Sequence, residues 1–135
     1  MFKAAGRAGG SGEGRSTKAI GDAAESLALA YLQRQGLVLV QRNYRVARGP
    51  HARGAEVDLI LRERDGTLVF VEVRARTGTR HGGALASVGA TKQGRIVRAA
   101  QHYLLHLPAL PPCRFDVVAV QGEQLEWVKA AFEAG

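Results

Sequence analysis

Two runs of strand-forming residues stand back to back, Glu56 to Leu61 and Leu68 to Ala75, with Asp65-Gly66 between them and acids in both. Aliphatic and β-branched residues at this density make core strands, and Asp-Gly between two such runs is a hairpin signal. Regular alternation puts Glu56, Asp58 and Ile60 on one face of the first strand, and Leu68, Phe70, Glu72 and Arg74 on one face of the second. A carboxylate buried in such a strand is costly unless a cation accompanies it. Two arrangements meet that requirement: a divalent-metal site, or plain ion pairs such as Glu72 with Arg74.

The remaining elements fall around this hairpin. Ser16 or Thr17 can cap a helix running from Lys18 to Gln35, with Ile20, Ala24, Leu27 and Tyr31 at core spacing and Gly36 as its stop. Leu37 to Val46 reads as a first strand, and Arg48 to Arg53, with Gly49-Pro50, as a basic loop. Thr77 to Ala90 is a glycine-rich loop. Thr91 to Leu107 forms a second amphipathic helix with Ile96, Ala99, Ala100 and Tyr103 inward, ended by Pro108, Pro111 and Pro112. Phe115 to Val120 is a buried-type strand, and Leu125 to Val128 a further short one. The order α-β-β-β-α-β predicts an α/β fold, a mixed sheet flanked by helices. Its three consecutive strands form an antiparallel meander and the next returns by a crossover.

A chain of 135 residues is one domain, read here as a flexible basic tail over 1–17, a folded body over 18–128 and a C-terminal tail over 129–135. Nineteen basic against 12 acidic residues give a formal charge of +7, which favours a polyanionic partner, nucleic acid before membrane surface. The single cysteine, Cys113, rules out an internal disulfide and a cysteine-cluster zinc site; inert packing is its expected role. No apolar run approaches the ~18 residues that span a bilayer, and the N-terminus lacks a secretory signal, so a reduced, cytoplasmic setting is expected.

Two motifs look chemical and fail. His102 and His106 have the spacing of a zinc-protease pair, but Tyr103 stands where that motif needs Glu, leaving them as surface histidines. Gly78 to Gly83 follows a strand as a phosphate loop would, yet no Gly-Lys-Ser/Thr comes after it.

The constellation that survives is Asp58 with Glu72 on adjacent strands. Two carboxylates about 4 Å apart repel by roughly 4 kcal/mol at an effective dielectric near 20, so they call for an arginine or a divalent ion. Mg²⁺ suits the pair, since it takes one or two carboxylates and keeps positions for a phosphate. Glu25, at the edge of the first helix's apolar stripe, is a candidate third acid; its bland alternative is a favourable acid early in a helix.

With those residues in place, the chain resembles the YraN-type family of small uncharacterised bacterial proteins, similar in fold to Holliday-junction resolvases and restriction-endonuclease-like PD-(D/E)xK nucleases. The resemblance rests on Gly21 to Glu25, Ala28, Tyr31 and Leu32; Arg42-Asn43-Tyr44; Gly54 through Ile60; Leu68 through Arg76; Lys92 with Arg95; and Arg114 through Val118. It implies a restriction-endonuclease-like core. It also implies that Glu25, Asp58 and Glu72 hold Mg²⁺ or Mn²⁺ and that Arg74 takes the place of the catalytic lysine. Lys92 and Arg95 fall where the family carries basic residues on the second helix, and Glu56 is an extra acid free to pair with an arginine. Two departures stand out. Ala55 separates Gly54 from Glu56, and Arg74 replaces a lysine. Arginine stays charged at physiological pH, so it holds a phosphate but is no general base.

The expected function is a Mg²⁺-dependent endonuclease, a hydrolase of phosphodiester bonds in branched or structured DNA. Lys92, Arg95, Arg48 and Arg53 would grip phosphates, and a homodimer is implied by resemblance to the resolvases. The alternatives are a nucleic-acid-binding module of the same fold without catalysis, or a basic adaptor for an acidic protein.

Overall fold

A computed structural model describes residues 16–47, 54–76 and 88–134. Arg48, Arg53, nearly all of the N-terminal tail and most of the Thr77–Ala90 loop lie outside the described residues. Within them the order is α1 (Thr17–Arg34), β1 (Val38–Val46), β2 (Ala55–Arg62), β3 (Leu68–Ala75), α2 (Ala90–Leu104), β4 (Cys113–Gln121) and β5 (Gln124–Phe132). The five strands form one sheet in the order β1-β2-β3-β4-β5. Pairing is antiparallel except between β3 and β4, which run parallel and are joined through α2. The meander and the crossover both follow the sequence expectation.

Alternation along β3 separates two cores. Leu68 and Phe70 join Ile96, Ala99 and Ala100 of α2, whereas Val69 and Val71 join Ala24, Ala28 and Leu32 of α1. The helices therefore cover opposite faces of the sheet. No described helix is long and apolar enough to cross a membrane.

Ser16 caps α1 by accepting the Ala19 N–H at 3.1 Å. At the other end Gly36 takes a left-handed conformation (φ 99°), while Gly36 N–H donates to Gln33 O and Leu37 N–H to Leu32 O. That double closure is a Schellman cap, and Leu37 packs into the same cluster as Leu32. The buried stripe of α1 is Ala24, Ala28 and Leu32; of the expected residues Ala24 is buried and Tyr31 packs at its edge, whereas Ile20 is 37% and Leu27 45% exposed. Small alanines against the sheet let the helix lie close, which rotates the larger residues outward.

Two expectations need lengthening or shortening. The last strand runs through Phe132, so residues 129–132 belong to the sheet rather than to a tail. Helix α2 ends at Leu104, before the prolines, with Ile96, Ala99 and Ala100 buried as foreseen.

Asp116 explains why β5 holds its place. It is fully buried and accepts from Trp127 Nε1 at 2.9 Å, Ala130 N–H at 2.9 Å and Arg114 Nε at 3.0 Å. These bonds bridge the register shift between Phe115 and Val117, where Ala130 adopts φ 50°. Arg114 also reaches Glu63 at 2.6 Å, tying the β2–β3 turn to β4. Cys113 opens β4 exposed rather than packed, and partial burial of its thiol raises its pKa, which keeps it a poor nucleophile.

Candidate metal and nucleic-acid site

The site is made by an irregularity in the sheet. On β2, Ala55 and Val57 face α2, Leu59 and Leu61 face α1, and Ile60 faces α2. The faces thus invert between Val57 and Leu59, and Asp58 sits at the inversion. Opposite it on β1, Asn43 has φ 53° and falls between the pairs Arg42↔Leu59 and Tyr44↔Val57. Asparagine is among the few residues that tolerate this conformation. The expectation that Glu56, Asp58 and Ile60 share a face therefore fails: the positive φ flips the strands' alternation, and Ile60 is buried beneath α2.

The β2–β3 ladder stops at Leu59↔Val71, one residue short of Asp58. Beyond that point the Asp58 Oδ2 accepts the Val73 N–H at 2.8 Å, replacing a backbone carbonyl. Glu72, 3% exposed, lies beside it on the α2 side. Its Oε2 is 3.3 Å from Arg74 Nη1 and 3.6 Å from Lys92 Nζ at the start of α2. Burial, then the Glu72 charge, push the Asp58 carboxyl up to about 8, against the pull of the Val73 N–H. At neutral pH this favours the protonated form of Asp58.

Glu25 reaches the region from the other face. Its Oε1 is 3.4 Å from Arg42 Nη2, and burial followed by the Asp58 charge raises its pKa, while Arg42 and Asn43 oppose the rise. It feels Asp58 but does not complete a cage: among the described residues no group of three His, Cys, Asp or Glu closes up to hold a metal. The half-buried Asp58 and buried Glu72 suit a divalent ion on chemical grounds, since a cation offsets the repulsion between their charges. Glu25 stands behind the pair, on α1.

A cleft of about 460 Å³ adjoins the acids, lined by Arg45, Glu56, Lys92 and Arg95 and by Val46–Ala47 and Gly54–Ala55. Lys92 belongs to both the cleft and the acid pair. Glu56 pairs with Arg45 at 3.2 Å, the arginine partnership expected of it. Gly54 is needed here, because a Cβ would come within 2.7 Å of the Val46 carbonyl oxygen. Three charged residues that the sequence leaves without a role take part in ion pairs or buried bonds: Arg42 with Glu25, Arg45 with Glu56, and Asp116 with Arg114. The i,i+2 pattern Arg114-x-Asp116 mirrors Glu72-x-Arg74 and was the available signal for a second charged cluster.

A protein-family model described as "Uncharacterised protein family UPF0102" matches residues 24–120. The chain belongs to the UPF0102 family. The UPF0102 protein of Methylibium petroleiphilum is 64% identical over 119 residues, covering 88% of this chain and 98% of the relative. UPF0102 proteins of an Acidovorax species and of Paracidovorax citrulli are each 58% identical, over 125 and 127 residues. Each match covers at least 93% of this chain and 92% of the relative. The UPF0102 span takes in Glu25, Asp58, Glu72, Arg74, Lys92 and Arg95, and ends at Val120, the last buried residue of β4.

Proposed function

We propose that this UPF0102 protein is a Mg²⁺-dependent endonuclease of the restriction-endonuclease-like type, acting on branched or structured DNA. The observation that carries the reading is the neighbouring Asp58 and Glu72 carboxyls at the mouth of an interrupted strand ladder, flanked by the cationic side chains of Arg74 and Lys92. Asp58 and Glu72 would hold the ion, which supplies Lewis-acid polarisation of the phosphate when bound. Arg74 would clamp phosphate oxygens and offset charge developing on them. Lys92 restores the ammonium that Arg74 replaced, and from α2 it reaches the same Glu72 oxygen. Arg45 and Arg95 in the cleft would seat flanking phosphates.

A second reading is favoured by one contact pattern. Arg74 and Lys92 already neutralise Glu72, as ion pairs in a binding module without catalysis would. Mg²⁺ and Mn²⁺ titrations of wild type and Asp58→Ala, with nuclease assays on junction, flap and linear DNA, separate the two. The nuclease gives saturable ion binding lost in the variant and metal-dependent cutting that Arg74→Lys enhances. Salt-sensitive DNA binding without cutting selects the module.

A further inference from the structure

The exposed histidines at the C-terminal end of α2, His102 in its last turn and His106 just beyond it, are better arranged than their sequence spacing alone implies. His102 and His106 stand one turn apart with ring centroids 5.1 Å from each other, both exposed. Each is held through Nδ1. That of His106 lies 3.1 Å from the His102 carbonyl oxygen, and that of His102 contacts the Tyr44 hydroxyl of β1. A carbonyl only accepts, so His106 Nδ1 carries its hydrogen and Nε2 keeps the lone pair. The Tyr44 hydroxyl can accept from His102 Nδ1–H in the same way, leaving that Nε2 open too. Tyr44 is itself fixed edge-to-face against Tyr103, with centroids 5.3 Å apart. Nδ1 donating to an oxygen while Nε2 faces outward is how metal-ligating imidazoles are usually oriented.

We propose that His102 and His106 form a site for a first-row divalent ion that prefers imidazole, zinc foremost, with their Nε2 atoms as ligands and Tyr44 as a positioning residue. The site is chemically distinct from the carboxylate pair, which suits a hard, oxygen-ligated ion. Lys92 and His102 are ten residues apart on α2, about 15 Å along the helix axis, so the two sites are separate. The inference does not depend on the nuclease reading. Two protein ligands leave further positions for water or an incoming donor. Arg98, one turn before His102 on the same side of α2, adds like charge and weakens the site without blocking it.

Zn²⁺ titration of the full chain by calorimetry in saturating Mg²⁺ tests this. One saturable Zn²⁺ per chain is expected, at least tenfold weaker in His102→Ala and in His106→Ala, and severalfold weaker in Tyr44→Phe. A double His51→Ala/His81→Ala variant should bind as wild type does. Far-UV circular dichroism checks that each variant is folded. Absence of saturable binding in Mg²⁺, binding retained in both His102→Ala and His106→Ala, or binding lost in the His51/His81 variant would overturn the site. An unchanged Tyr44→Phe affinity would remove the positioning role of the phenol.

Discussion

The Asp58 carboxylate accepts the Val73 N–H at 2.8 Å at the point where the β2–β3 ladder ends, so one side chain both terminates a sheet pairing and presents an acid. Asparagine at this position would still accept that bond but carries no charge. The folded protein keeps a proton on Asp58 up to about pH 8, which an unfolded chain releases near 3.8. Stability of the metal-free protein therefore falls as pH rises between these values, with a ceiling slope of about 1.4 kcal/mol per pH unit for one group. Thermal midpoints at pH 5 and pH 8 should drop more for wild type than for Asp58→Asn. Equal drops would remove Asp58 as the source.

Ion binding must expel that proton. Near pH 7, Mg²⁺ or Mn²⁺ binding should release about one proton per chain, and affinity should rise by up to about tenfold per pH unit until Asp58 ionises freely. Calorimetry in two buffers of different ionisation heat reads the proton count. Glu72→Gln should abolish both the binding and the release; binding without proton release would show that the ion goes elsewhere.

Lys92 and Arg95 line a cleft in which Glu56 already offsets Arg45. Changing Lys92 or Arg95 to Gln should weaken binding to DNA of any sequence and reduce the salt slope by about 1 each. Glu56→Gln should act in the opposite direction by freeing Arg45. Fluorescence anisotropy across a salt series measures both, and slopes unaltered in all three variants would move the DNA surface away from this cleft.

Asp116 carries three donors from two strands while wholly enclosed. Asp116→Ala would strand the Trp127 and Ala130 hydrogens and leave the half-buried Arg114 with Glu63 alone. A loss of about 3–5 kcal/mol is expected in urea unfolding, by the measure of broken buried charge pairs. A loss under about 1 kcal/mol would mean that β5 is held by its backbone pairing and packing instead.

Element order, the meander and the crossover were legible because each depends on local periodicity and on turn residues such as Asp65-Gly66 and Gly36. Their agreement with the structure has a direct cause: Thr67 N–H bonds Asp65 Oδ1, and Gly36 takes a positive φ. The nearness of Asp58 to Glu72 was legible from adjacency on a hairpin. The inversion at Asp58 was not, because alternation assumes regular φ on the partner strand, and Asn43 breaks that assumption from 15 residues away in sequence. The outward turn of Ile20 and Leu27 escaped for a similar reason. Helical spacing gives a stripe, but which edge of it lies down depends on how closely the sheet admits alanine.

Because β2 and β3 part company just past Leu59↔Val71, the Asp58 carboxyl stands between Glu25 on α1, whose pKa its charge raises, and Glu72 beside Lys92, whose charge raises its own. The charge of Asp58 thus reaches an acid on the rear helix from the far side of the sheet. Such a seam couples acids on opposite sides of one sheet through a single carboxyl.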